Sequence, residues 1–110
     1  MANFFELPAD RPTAELFETL LQQDFLKIER IISTGQTTPV GQWYDQAQDE
    51  WVLLLQGIAR LSFADRPAQT LQAGDYLYIP AHQRHRVEFT STEPPCIWLA
   101  MHFSPTRTMR

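Results

Sequence analysis

A single cysteine, Cys96, rules out an internal disulfide, and only four glycines and no low-complexity tract leave little room for linkers or repeats. Basic residues are also few: nine against thirteen acidic ones give a formal charge of −4 and a pI near 5.2. The chain therefore lacks the basic surplus with which proteins hold nucleic acid or anionic membranes, and neither is expected as a partner. Apolar runs such as Trp51–Leu55, five residues long, fall far short of the roughly 18 that a membrane span needs. No signal-like stretch follows Met1, where Phe4, Phe5, Glu6 and Pro8 are mixed. With one unpaired thiol, this points to a reducing cytoplasm. At 110 residues the expected organisation is one domain over 1–110, which excludes mechanisms built between two domains.

What the chain does contain is turn chemistry at regular intervals. From Asp10 to Gln23, Leu16, Phe17, Leu20 and Leu21 fall on one helical stripe, and Pro12 or Thr13 suits a first turn, so a short N-terminal amphipathic helix is predicted. The stretch Phe25 to Ser33 is β-favouring through Ile28, Ile31 and Ile32, and 34–41 breaks it with Gly35, Pro39 and Gly41. Beyond Trp43, turn signals recur at Gln56-Gly57, Asp65-Arg66-Pro67, Ala73-Gly74-Asp75 and Pro80-Ala81-His82. Spacings of 8, 9 and 8 residues between Gly57, Asp65, Gly74 and His82 are the rhythm of an antiparallel sandwich or barrel, not of βαβ units.

Alternation within the strands assigns faces. His85, Val87 and Phe89 share one face, opposite Arg84, Arg86, Glu88 and Thr90. Ile97, Leu99, Met101 and Phe103 are read as core, which turns Trp98, Ala100 and His102 outward and gives His102 a packing or subunit-contact role. Trp51–Leu55 is apolar on both faces and is expected to be covered on both sides. Glu50, at the head of that strand, then has to be hydrogen-bonded, metal-bound or placed at a wet mouth.

Glu50, six residues, Gly57; then Gly74, five residues, Pro80, one residue, His82, two residues, His85: this pattern resembles the paired motifs of the cupin superfamily over about Gly35 to Phe103. The resemblance implies an all-β fold, a small jelly-roll barrel, here with the N-terminal helix and strand (about 1–33) preceding barrel motifs at about 35–103. It also implies a divalent metal ion held inside the barrel, with Glu50 and His85 at ligand positions. The first motif's histidine pair is missing from Trp43-Tyr44-Asp45-Gln46. One family spacing puts Trp43 and Asp45 in its place, the other Tyr44 and Gln46. The second motif carries His82 where the family usually has glycine, which offers a replacement imidazole.

The expected metal set is accordingly Glu50, His85, His82 and Asp45. Imidazoles with carboxylates suit iron, manganese or zinc and leave positions open for substrate. Sharing one ion would require His82 and His85 to be brought together by a turn at Ala81–Arg84, since three extended residues advance about 10 Å and reverse the face. Tyr44 and Gln46 are candidates to bind substrate. Three functions compete: a metal-dependent small-molecule enzyme of dioxygenase, isomerase or lyase type; a non-catalytic module that binds or senses a small ligand without metal; and metal-free acid–base catalysis by His85 with Glu50 or Asp45. A homodimer is expected, because so small a domain buries only a modest share of its surface.

Overall fold

The computed structural model describes residues 1–9 and 13–104. Eight strands run in chain order: β1 (Leu16–Gln23), β2 (Leu26–Ser33), β3 (Asp49–Gln56), β4 (Ile58–Phe63), β5 (Gln69–Gln72), β6 (Tyr76–Ile79), β7 (His85–Thr90) and β8 (Cys96–Phe103). They form a five-stranded sheet in the order β1-β2-β8-β3-β6 and a three-stranded sheet in the order β5-β4-β7, with antiparallel pairing throughout. The core lies between the sheets, where Val52, Leu54, Ala59, Leu61, Phe63, Leu71, Trp98 and Ala100 cluster. The four turn signals of the sequence all fall at strand ends or between strands.

The predicted N-terminal helix is absent: the described residues contain no helix, and Leu16–Gln23 is a strand. Asp10 and Pro12, at the start of the expected helix, lie outside the described residues. The apolar spacing at 16, 17, 20 and 21 is met equally by a strand with an irregularity between Thr19 and Leu21. Pairing with β2 through a two-residue turn at Asp24-Phe25 outweighs the weak preference of a short isolated segment for helix.

Cross-strand partners share a face, so the register fixes what enters the interior. One row crosses Lys27, His102, Glu50 and Ile79 on β2, β8, β3 and β6. The next crosses Glu29, Ala100, Val52 and Leu77. Trp98, Ala100 and His102 therefore face inward, which corrects their outward assignment. The two faces of β8 compete in apolarity, and the outer one is also covered: Ile97 and Ile32 are almost wholly buried. Arg30, on that outer face, donates to the carbonyls of Phe4 and Glu6 and pairs with Glu18, which holds the N-terminal segment against it.

On β7 the expected face of His85, Val87 and Phe89 breaks at its end. A register shift between β4 and β7 pairs Leu61 with Val87 but Arg60 with Phe89, so Phe89 is exposed and Thr90 is buried. An extra residue in one strand reverses every later side chain. β3 matches its doubly apolar pattern in part, since Val52 and Leu54 are buried and Trp51, Leu53 and Leu55 half-buried.

Candidate functional site

A half-open cavity of about 540 Å³ lies inside the barrel. Its walls are apolar, from Ile31, Val52, Leu61, Ile79, Val87 and Trp98, and its polar groups are Glu15, Lys27, Glu29, Tyr44, Gln46, Gln48, Glu50, His85 and His102. Glu50 comes from the head of β3 and His85 from the head of β7, so the two motif residues approach each other from opposite sheets.

His85 is 6% exposed. Its Nδ1 lies 2.9 Å from the carbonyl oxygen of Gln83, and because a carbonyl only accepts, that nitrogen carries the hydrogen. Nε2 is thereby left to face the cavity, 3.9 Å from Glu50 Oε1. The Tyr44 ring stacks on the imidazole with centroids 5.4 Å apart, and backbone bonds in both directions tie Tyr44 to His85. Burial, followed by the Glu15 and Glu50 carboxylates, holds the Tyr44 phenol above its ordinary value against the opposing effect of a bond with Thr38. Tyr44 thus remains a neutral donor.

Glu50, 7% exposed, accepts the Gln46 amide at 3.1 Å on the oxygen that faces His85. Its other oxygen lies 3.9 Å from His102 Nε2. His102 Nε2 in turn lies 2.8 Å from Glu29 Oε1, and Lys27 Nζ lies 3.4 Å from Glu29 Oε2. Deeper in, the Trp98 indole donates to Ser33 Oγ at 3.2 Å, and the Ser33 hydroxyl donates to Glu15. Burial pushes the Glu15 carboxyl up, and the Ser33 bond opposes it in part.

The four residues expected to share an ion are divided. Glu50 and His85 meet in the cavity, but His82 and Asp45 meet each other outside it, Nδ1 to Oδ1 at 2.9 Å, with side chains 70% and 50% exposed. The required turn does form, since the Gln83 amide donates to the Pro80 carbonyl. His82, however, takes its left-handed position, with φ of 65°, and the ring swings outward instead of following His85.

The donors do not fit a resident metal. Protein ions are generally held by three or more protein ligands, and among the described residues no group of three His, Cys, Asp or Glu side chains is arranged to hold one. Gln46 occupies a Glu50 oxygen, and His102 Nε2 is engaged by Glu29. Tyr44 and Gln46, the candidates for substrate, both line the cavity.

Sequence reading missed His102, Glu29, Lys27 and Glu15. Lys27 and Glu29 alternate with Ile28 and Arg30 in β2, and charge at every second position ordinarily marks a wet face. The available signal was Trp98: an indole N–H seeks a partner when buried, and its face carries His102 with it.

A family model described as a cupin domain matches residues 31–102. No curated protein matches the sequence. Among solved structures, a Ralstonia eutropha JMP134 protein provisionally named a mannose-6-phosphate isomerase is 44% identical over 96% of this chain and 98% of its own, with a TM-score of 0.86. A cupin superfamily protein of Desulfitobacterium hafniense DCB-2 is 23% identical over 89% and 84%, with a TM-score of 0.73. An RmlC-like cupin family protein of Methanocaldococcus jannaschii with a double-stranded β-helix fold is 14% identical over 90% and 87%, with a TM-score of 0.69. At these lower identities the last two bear on fold alone. The motif spacing, the two facing antiparallel sheets and the match over 31–102 agree: the chain belongs to the cupin family.

Proposed function

We propose that this cupin is a metal-independent enzyme of isomerase type that moves a proton on a small hydroxy-carbonyl compound, with His85 as the base. The observation that carries this reading is the orientation of His85: Nδ1 is held by the Gln83 carbonyl, and Nε2 faces the cavity beside a buried carboxylate. A base fixed in this way is oriented before substrate arrives. The name of the Ralstonia relative supports an isomerisation, in which a proton leaves one carbon and returns to its neighbour.

In the proposed step His85 Nε2 takes the proton from the carbon next to the carbonyl. The C–H electron pair forms a carbon–carbon double bond, and the carbonyl π pair moves onto oxygen. The imidazolium so formed stands 3.9 Å from Glu50 Oε1, an attraction of about 4 kcal/mol at an effective dielectric of 20. Gln46 holds that carboxylate in place. Return of the proton from Nε2 to the adjacent carbon completes the transfer, with the hydroxyl proton passing between the two oxygens.

The test is incorporation of solvent deuterium beside the carbonyl of candidate sugars in heavy water, followed by NMR. Exchange is expected with the wild type, unchanged after dialysis against a chelator. His85→Ala should lower its rate by about 10²–10⁴-fold. Ligand binding without exchange would overturn this reading and leave the alternative, a non-catalytic cupin that binds a small ligand.

A further inference from the structure

From the charges around the cavity we infer that its substrate is an uncharged polyhydroxy compound and that phosphate esters are excluded; this rests on the reading of the cavity as the substrate site. Three carboxylates, Glu15, Glu29 and Glu50, line it against one cation, Lys27, and Lys27 is already paired with Glu29. A phosphoryl group needs Arg or Lys forks, backbone amides or a helix N-terminus. Among the described residues no arginine lines the cavity, and no helix exists to supply an N-terminus.

The arginines nearest in sequence to the site are committed elsewhere, and Arg84, next to His85, is exposed and lies over the Trp43 ring at 5.4 Å. Arg30 is held on the outer face by Glu18 and two backbone carbonyls. Arg86 donates to the Thr38 carbonyl and lies 3.1 Å from Glu88. A dianion entering the cavity would meet like charge at short range and no free cation.

Each carboxylate already holds at least one donor, since Gln46 contacts Glu50, His102 and Lys27 contact Glu29, and Ser33 contacts Glu15. What remains is acceptor capacity: second lone pairs on these oxygens and the bare Nε2 of His85. Hydroxyl groups donate to such acceptors without bringing charge, and the apolar wall formed by Val52, Ile79 and Trp98 suits the C–H face of a sugar.

The experiment compares free fructose, glucose and ribose with their phosphate monoesters, reading dissociation constants by titration calorimetry and by shifts of the His85 and His102 ring signals. At least one free sugar is expected to bind ten or more times more tightly than its phosphate. Gln48→Arg, which puts a cation on the exposed cavity rim, is expected to narrow that gap by strengthening the phosphate alone. Tighter binding of the phosphates to the wild type, or failure of every free sugar to bind, overturns the inference. Binding of the free sugars without deuterium exchange sinks the proton-transfer function and supports the charge selection. Exchange accompanied by a preference for phosphates does the reverse.

Discussion

Replacing Gly57 with alanine is predicted to be among the more damaging single-methyl changes in the molecule, because the residue forms the corner where the chain leaves β3 in one sheet for β4 in the other. Its φ is +94°, and holding an L-residue in left-handed backbone costs about 1–2 kcal/mol. The added Cβ would stand 2.8 Å from Ser91 Oγ, 2.9 Å from Cys96 Sγ and 3.0 Å from Cys96 Cα. None of these can withdraw easily. Cys96 is fully buried with its thiol on the Ile58 carbonyl, and Ser91 Oγ donates to Pro94 and accepts from Ile58. Overpacking of this kind costs about 1–3 kcal/mol.

Together these effects amount to about 2–5 kcal/mol, which for a domain of this size lowers the melting temperature by roughly 8–20 °C. Gly74 supplies the control. Its φ is +96°, and an added Cβ there meets nothing within 4 Å, so Gly74→Ala should cost only the backbone share, about 1–2 kcal/mol. Thermal and urea unfolding followed by circular dichroism would measure both. Equal losses in the two variants would refute the packing part of the reasoning, and a loss below about 1 kcal/mol at Gly57 would refute the whole of it.

Burial raises the Glu15 carboxyl, so the native state holds that proton more tightly than the unfolded chain, and stability falls as pH rises from the ordinary value of 4.5 through the native one. Glu15→Gln should therefore raise the melting temperature at neutral pH with little gain near pH 4, and a difference independent of pH would refute this. His82→Gly removes an outward-facing ring from left-handed backbone; relief of that strain is offset by glycine's chain entropy, leaving stability within about 1 kcal/mol of wild type. Deuterium exchange should also be unaffected, and its loss would place His82 in the site after all. β1 ends its sheet and leaves Phe17, Leu20 and Leu21 each about half exposed, an edge against which a second copy of the chain is expected to pair. Sedimentation showing only monomer at micromolar concentration would remove the homodimer.

The all-β class and the turns were legible in the sequence because each depends on local chemistry, and the Glu50–His85 pair was legible through the resemblance carried by the motif spacing. Gly57 and Gly74 take backbone that other residues avoid, and Pro80 opens a turn. Which face of β8 enters the barrel was not legible, because Ile97 with Leu99 and Trp98 with Ala100 are both apolar pairs, and only the register with β2 and β3 sends His102 inward beside Glu50. The fate of His82 was undecided for a related reason: the turn was foreseeable, but the rotation of its side chain toward Asp45 follows from which residue takes the positive φ. Local propensity sees neighbours in the chain, whereas the cavity is assembled from strands far apart in sequence, and the charges that define it come from positions whose spacing looks like an ordinary wet surface.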